Sequence, residues 1–110
     1  MITIVELPEF VKRSERFLKE SERKNIVNYL AVHSTAGVVM KGTGGIRKLR
    51  WKKEGTGKRG GVRIIYYYYN KQYPLFLLTV FRKSEKVNLS KAERNELAKL
   101  TRILIEGYGE

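Results

Sequence analysis

Residues 75–81 (LFLLTVF) are apolar at nearly every position. A strand sends successive side chains to opposite faces, so a run with no polar alternation has no side that can face water. This stretch therefore reads as a strand in the middle of a sheet with cover on each side. A chain of 110 residues that is 42% apolar has room for one such sheet and little else, so residues 1–110 are read as a single domain.

The other segments supply the cover. Residues 3–7 (TIVEL) are short and β-branched, end at Pro8, and predict a first strand whose partner is not legible locally. Proline at or near the first helical position then opens a helix over residues 9–19, with Phe10, Phe17 and Leu18 on its apolar stripe. Ser21 is placed to cap a second helix through His33, with Ile26, Val27 and Leu30 sharing a face, and the two helices form a hairpin on the sheet. Residues 34–45 fit an extended piece at Val38 to Met40 or a buried loop equally well. Residues 46–52 alternate, which puts Arg47, Leu49 and Trp51 on one face and Ile46, Lys48, Arg50 and Lys52 on the other. A loop over 53–61, a β-branched and aromatic strand over 62–69 and a turn over 70–74 lead into the central strand. Ser90 followed three residues later by Glu93 is a capping box, and Leu97, Leu100 and Leu104 give the helix behind it an apolar stripe as far as Gly107. The fold class is α+β: an N-terminal strand, a helical hairpin, a mostly antiparallel sheet with a meander of three strands, and a C-terminal helix.

Charge points to the partner. Residues 41–63 (KGTGGIRKLRWKKEGTGKRGGVR) hold nine of the 23 Lys and Arg residues against one acid, Glu54, and so carry most of the net charge of +12. Cations on glycine-rich loops and short strands suit a phosphate backbone, whereas a surface membrane binder needs a basic amphipathic helix. No apolar run reaches the roughly 20 residues of a spanning helix. The N-terminal sequence lacks the pattern of a secretory signal, and no cysteine is present, so a cytoplasmic protein without membrane contact is expected.

Meander geometry makes those cations converge. The turn at 70–74 returns Arg82 and Lys83 to the side of residues 61–63, and the loop at 53–61 does the same for residues 50–53. Arg50, Lys52, Lys53, Lys58, Arg59, Arg63, Arg82 and Lys83 then gather at one edge of the sheet, with their orientation dependent on register. Phosphodiester cleavage needs a proton acceptor, charge stabilisation and a proton donor. The chain has no Asp, which argues against a two-metal site, and one histidine, His33, which excludes a two-histidine mechanism and reads as a helix C-terminal or core residue. What remains is chemistry by Lys, Arg or Tyr; if RNA is the substrate, its own 2′-OH can attack the adjacent phosphate. Lys58 or Lys83 is then the candidate acid or base, and Arg63 and Arg82 are phosphate clamps. The tyrosines at 66–69 and Trp51 read first as packing and second as base-stacking groups.

The segments GTGGIRKLRW, GTGKRGGVRIIYYYY and LFLLTVFRKSEKVNLSKAE, in this order of elements, resemble the RelE/ParE superfamily of bacterial toxins, and within it the HigB-like branch of RelE. The resemblance implies a RelE-like fold and a type II toxin that enters the ribosomal A site and cuts translated mRNA, with no cofactor or metal. It also implies a cognate antitoxin, HigA-like with a helix-turn-helix, and contact with operator DNA only through the antitoxin complex. The family's catalytic cations fall on Lys58, Arg59, Arg63, and Arg82 or Lys83, with RNA binding expected from Arg47, Lys48, Arg50, Lys52, Lys53 and Lys86. Some RelE proteins carry a catalytic tyrosine after the last strand, where this chain has Val87, Asn88 and Leu89, so the base is open. Two rivals share these features: a ParE-like inhibitor of DNA gyrase, and a non-catalytic RNA- or ribosome-binding module.

Overall fold

A computed structural model describes the chain at residues 1–52, 61–86 and 88–108. The order is β1 (Ile4–Glu6), α1 (Pro8–Phe17), α2 (Glu20–Val32), β2 (Val38–Val39), β3 (Ile46–Trp51), β4 (Val62–Tyr67), β5 (Leu75–Arg82) and α3 (Lys91–Tyr108). The strands form one sheet in the order β1-β5-β4-β3-β2. β1 runs parallel to β5 and the other pairs are antiparallel, which gives the expected α+β class with a meander at its centre.

β5 is apolar on both sides because both sides are covered. Leu75, Leu77 and Val80 join Phe10 of α1 and Ile26 and Leu30 of α2 in one core. Phe76, Leu78 and Phe81 join Ile65 and Tyr67 in a second, closed over by Leu97, Leu100 and Leu104 of α3. Burying a Leu or Phe side chain contributes about 1.5–3 kcal/mol, so these two layers hold most of the fold's apolar stabilisation. Among the described residues no helix is long and apolar enough to cross a membrane.

The β4–β5 ladder contains a bulge. Ile65 pairs with Thr79 but Tyr66 pairs with Leu77, so Leu78 is the extra residue on β5. The strand's phase reverses there. Val80 falls on the α1 side and Phe81 on the α3 side, and Arg82, two residues beyond Val80, shares the α1 side.

Several local devices hold this frame. β1 stops at Pro8, which leaves the far half of β5 without a strand neighbour on that edge. Arg13 covers it, with Nε donating to the Val80 carbonyl at 2.6 Å. The Tyr66 hydroxyl, fully buried, accepts from the Gly37 N–H at 2.8 Å and donates to the Ser34 carbonyl at 2.9 Å, which pins the segment between α2 and β2 to the core. Between β2 and β3 the backbone takes φ of 78°, 76° and 115° at Gly42, Gly44 and Gly45, a conformation that only glycine adopts without strain. Thr43 closes this turn by accepting from the Ile46 N–H at 3.0 Å.

The helix starts differ in one case from the sequence reading. α2 begins at Glu20, ahead of Ser21, because Glu22 reaches back to accept from the Lys19 N–H at 3.0 Å. The capping box of α3 forms as read: the Ser90 N–H donates to Glu93 at 2.9 Å, and the Glu93 N–H to the Ser90 hydroxyl at 3.1 Å. Residues 38 and 39, undecided from sequence, form the edge strand β2. β4 ends at Tyr67, so Tyr68 and Tyr69 lie outside the sheet.

Candidate nucleic-acid interface

The register across three strands sets one row of side chains: Arg50 on β3 lies opposite Arg63 on β4, which lies opposite Phe81 on β5. Two arginines directly opposite one another repel, and a protein without use for them would replace one. Among the described residues neither has a carboxylate partner. Arg63 is half-buried and its guanidinium is held below its ordinary value, first by burial and then by the charge of Arg50. It remains a cation, since arginine does not lose its proton in proteins.

Other cations surround the row. Lys48, two residues before Arg50 and so on the same face, donates to the Asn88 side chain at 2.8 Å. The Lys86 ammonium stands 5.6 Å from the centre of the Phe81 ring and bonds Glu93 at 2.6 Å. That bond, ahead of the Ser90 N–H, holds the Glu93 carboxyl below its usual range. Next to the row a cleft of about 330 Å³ runs between α1 and α3, floored by Thr79, Phe81 and Leu89 and rimmed by the cations Arg13 and Lys86 and the acids Glu9, Glu93 and Glu96. The cationic surface is therefore the row itself, Arg50 and Arg63 with Lys48, standing beside an apolar-floored cleft whose own rim is mixed in charge. It can clamp phosphate oxygens through forked guanidinium donors, with lysines as point charges beside them.

The residues singled out from sequence divide by location. Arg50, Arg63, Lys48 and Lys86 share this face. Lys83 is exposed at the same strand end, where its N–H donates to the Gly61 carbonyl at 3.0 Å, and Lys52 is exposed directly after β3. Arg82 is turned to the opposite side by the β5 bulge, 3.5 Å from Glu85. Arg47 also faces away, donating to the carbonyls of Gly37 at 2.7 Å and Thr35 at 3.2 Å as a brace for the turn before β2. Lys53, Lys58 and Arg59 lie outside the described residues.

Of the aromatic residues, Tyr66 is in one core and Tyr67 in the other, and Trp51 is half-buried with its ring 5.5 Å from that of Tyr29. His33 caps α2, with its N–H on the Tyr29 carbonyl at 2.8 Å. Sequence reading missed Asn88 as a partner of Lys48, Glu93 as a partner of Lys86, and Arg13. The capping box at Ser90 did mark Glu93 as an oriented carboxylate, which was the available signal. Among the described residues no three His, Cys, Asp or Glu side chains converge as a metal site would require.

Comparison with known proteins follows this geometry. A family model described as the RelE toxin of the RelE/RelB toxin–antitoxin system matches residues 11–108. Among solved structures, the chain is similar to a double arginine-to-alanine mutant of E. coli toxin RelE in the free state, with 14% identity and a TM-score of 0.57 over 94% of this chain and 98% of that one. At that identity the likeness concerns the fold, and the α+β arrangement of sheet and helices agrees. With a family model spanning almost its whole length, the chain belongs to the RelE toxin family, the toxins of toxin–antitoxin systems, and an antitoxin is its implied partner.

Proposed function

We propose that this toxin is a ribosome-dependent endoribonuclease of the HigB-like kind, acting in the cytoplasm on mRNA in the ribosomal A site without a metal ion. The observation that carries the reading is the Arg50 and Arg63 pair: two cations held side by side, against their mutual repulsion, on a face shared with Lys48 and Lys86. Bound phosphate turns that repulsion into attraction.

In the proposed reaction the 2′-oxygen of one nucleotide attacks the adjacent phosphorus. The new O2′–P bond forms as the P–O5′ bond breaks, leaving a 2′,3′-cyclic phosphate and a 5′-hydroxyl. The 2′-OH proton passes to a base, and an acid protonates the departing 5′-oxygen. Arg63 and Arg50 stabilise the charge that grows on the non-bridging oxygens, where forked donors act most strongly. Lys58, Arg59 and Lys83 are assigned to proton transfer and leaving-group stabilisation, with the ribosome aligning the message. A HigA-like helix-turn-helix antitoxin is the proposed partner, with operator DNA bound only through it.

Cell-free translation of a reporter tests the reading. Adding the protein should stop synthesis and leave cuts inside codons of translating messages, and Arg63→Ala should abolish both while the variant stays folded. Unimpaired translation together with loss of gyrase supercoiling would move the protein to the ParE-like activity instead. Ribosome binding without cuts would leave a binding module.

A further inference from the structure

The cations of α1 are unused by the reading above. Lys12 and Arg16 are exposed, lie one turn apart on the same side of the helix, and have no carboxylate partner among the described residues. Like charges at i and i+4 destabilise a helix. Arg16 in the last turn is compensated by the helix dipole, but Lys12 is not. One acid, Glu9, lines the same hollow as Lys12, Arg13 and Arg16.

A second hollow of about 270 Å³ continues the surface, lined by Arg13, Arg16, Arg82 and Glu85. Its one carboxylate is already occupied: Glu85 accepts from Arg13 at 2.9 Å and from the Arg82 N–H at 2.9 Å, with the Arg82 guanidinium 3.5 Å away. Three arginines around one acid leave an excess of positive charge. Arg82 reaches this side because of the β5 bulge, so the strand end carries cations on both faces: Arg50 and Arg63 toward α3, and Arg82, Arg16 and Lys12 along α1.

From this arrangement we infer that α1 presents a second phosphate-binding surface, which holds the backbone of structured ribosomal RNA while the Arg50 and Arg63 face takes the message. The choice of RNA over an acidic protein follows from the geometry. The Arg16 guanidinium fork and the Lys12 ammonium, beside an open hollow, suit phosphate oxygens, and residues four apart on a helix rise about 6 Å, comparable to the spacing of successive phosphates on a strand. That the RNA is ribosomal rests on the function proposed above, and the two surfaces are separable because Lys12 and Arg16 do not line the cleft beside the Arg50 and Arg63 row, although Arg13 borders both.

The test is sedimentation of the full-length protein with 70S ribosomes across a KCl series, paired with the cleavage assay. The double charge reversal Lys12→Glu/Arg16→Glu should weaken ribosome binding tenfold or more, on the order expected for lost phosphate contacts, and make the salt slope shallower by about 2. Both side chains are exposed, so the fold should be kept, with a small loss in Tm because Arg16→Glu puts an acid at the negative end of the helix dipole. The neutral pair Lys12→Gln/Arg16→Gln should show a smaller shift in the same direction, and serves if the reversal does not fold. Arg63→Ala should lose cleavage yet keep most of its ribosome affinity. Wild-type affinity and salt slope in both α1 variants would overturn the inference and leave the nuclease reading standing. A wild-type protein that neither binds ribosomes nor cuts messages would sink both.

Discussion

Replacing Arg63 by methionine should remove function and add stability. Directly opposite residues on neighbouring strands have Cβ atoms roughly 5 Å apart, which sets the two guanidinium charges on the order of 7 Å from each other. Coulomb's law gives about 0.6 kcal/mol of repulsion at that distance in water and about 2.4 kcal/mol at an effective dielectric of about 20. Arg50 is exposed and Arg63 half-buried, so solvent screening places the value near the lower end, at about 1 kcal/mol. Methionine keeps an apolar stem over the same area, and the one hydrogen bond lost, to the Val62 carbonyl at 3.4 Å, is long. The net expectation is a gain of about 0.5–1 kcal/mol, or a few degrees in Tm for a domain of this size. Urea denaturation in about 0.01 M and about 0.5 M salt measures it, because the screening length falls from about 30 Å to well under 10 Å between them. The gain should be present at low salt and largely gone at high salt, and it should shrink in an Arg50→Met background, since the two substitutions relieve the same repulsion. A destabilised variant, or a gain indifferent to salt, would show that contacts hold Arg63 in place and would remove the argument that this pair awaits an anion.

Four further outcomes follow from the packing. Tyr66→Phe strands the buried Gly37 N–H and should cost about 2 kcal/mol in denaturant titration. Gly37→Ala should cost at least as much, because a Cβ there would sit 2.8 Å from the Tyr66 ring and 3.1 Å from the Lys48 carbonyl, and equal stability in either variant would contradict the pin. Arg13→Met uncovers the Val80 carbonyl and removes one of the donors to Glu85, and should cost about 1.5–3 kcal/mol while shortening hydrogen-exchange protection at the end of β5. Glu85 is held below the ordinary carboxyl value of 4.5, first by the Arg82 N–H, and Glu93 likewise, first by Lys86. Lowered folded-state values mean that both contributions are complete above about pH 4.5 and fade as pH falls through the folded values. Unfolding free energies at pH 6 and pH 3 should therefore differ less in Glu85→Gln/Glu93→Gln than in the wild type, and an unchanged difference would refute the assignment.

Local pattern carried much of this architecture. The unbroken apolar run at 75–81 forced a doubly covered strand, and the alternation at 46–52 correctly separated Lys48 and Arg50 from Arg47, Leu49 and Trp51. Hairpin geometry then brought Arg50 beside Arg63 and Lys83 beside Gly61. The side taken by Arg82 was not legible, because the extra residue at Leu78 has no glycine or other turn signal to announce it. Nor was the partner of β1, since a parallel pair leaves no hairpin turn between its strands. The bonds from Lys86 to Glu93 and from Arg13 to Val80 and Glu85 join segments whose proximity only the packed fold creates. Ser21 was a sound capping residue by type, but the buried Glu22 reached the Lys19 N–H first.

The pairing of Ile4 with Leu75 also orders events in time. Ile4, Val5 and Glu6, made first, have nothing to zip onto until Leu75, Phe76 and Leu77 have been synthesised, and the helical hairpin must wait with them for its bed. At about 5–20 residues per second, several seconds of elongation separate the birth of the first strand from the moment it can be laid down. A nascent chain of this toxin thus cannot close its sheet before Leu77 has been added.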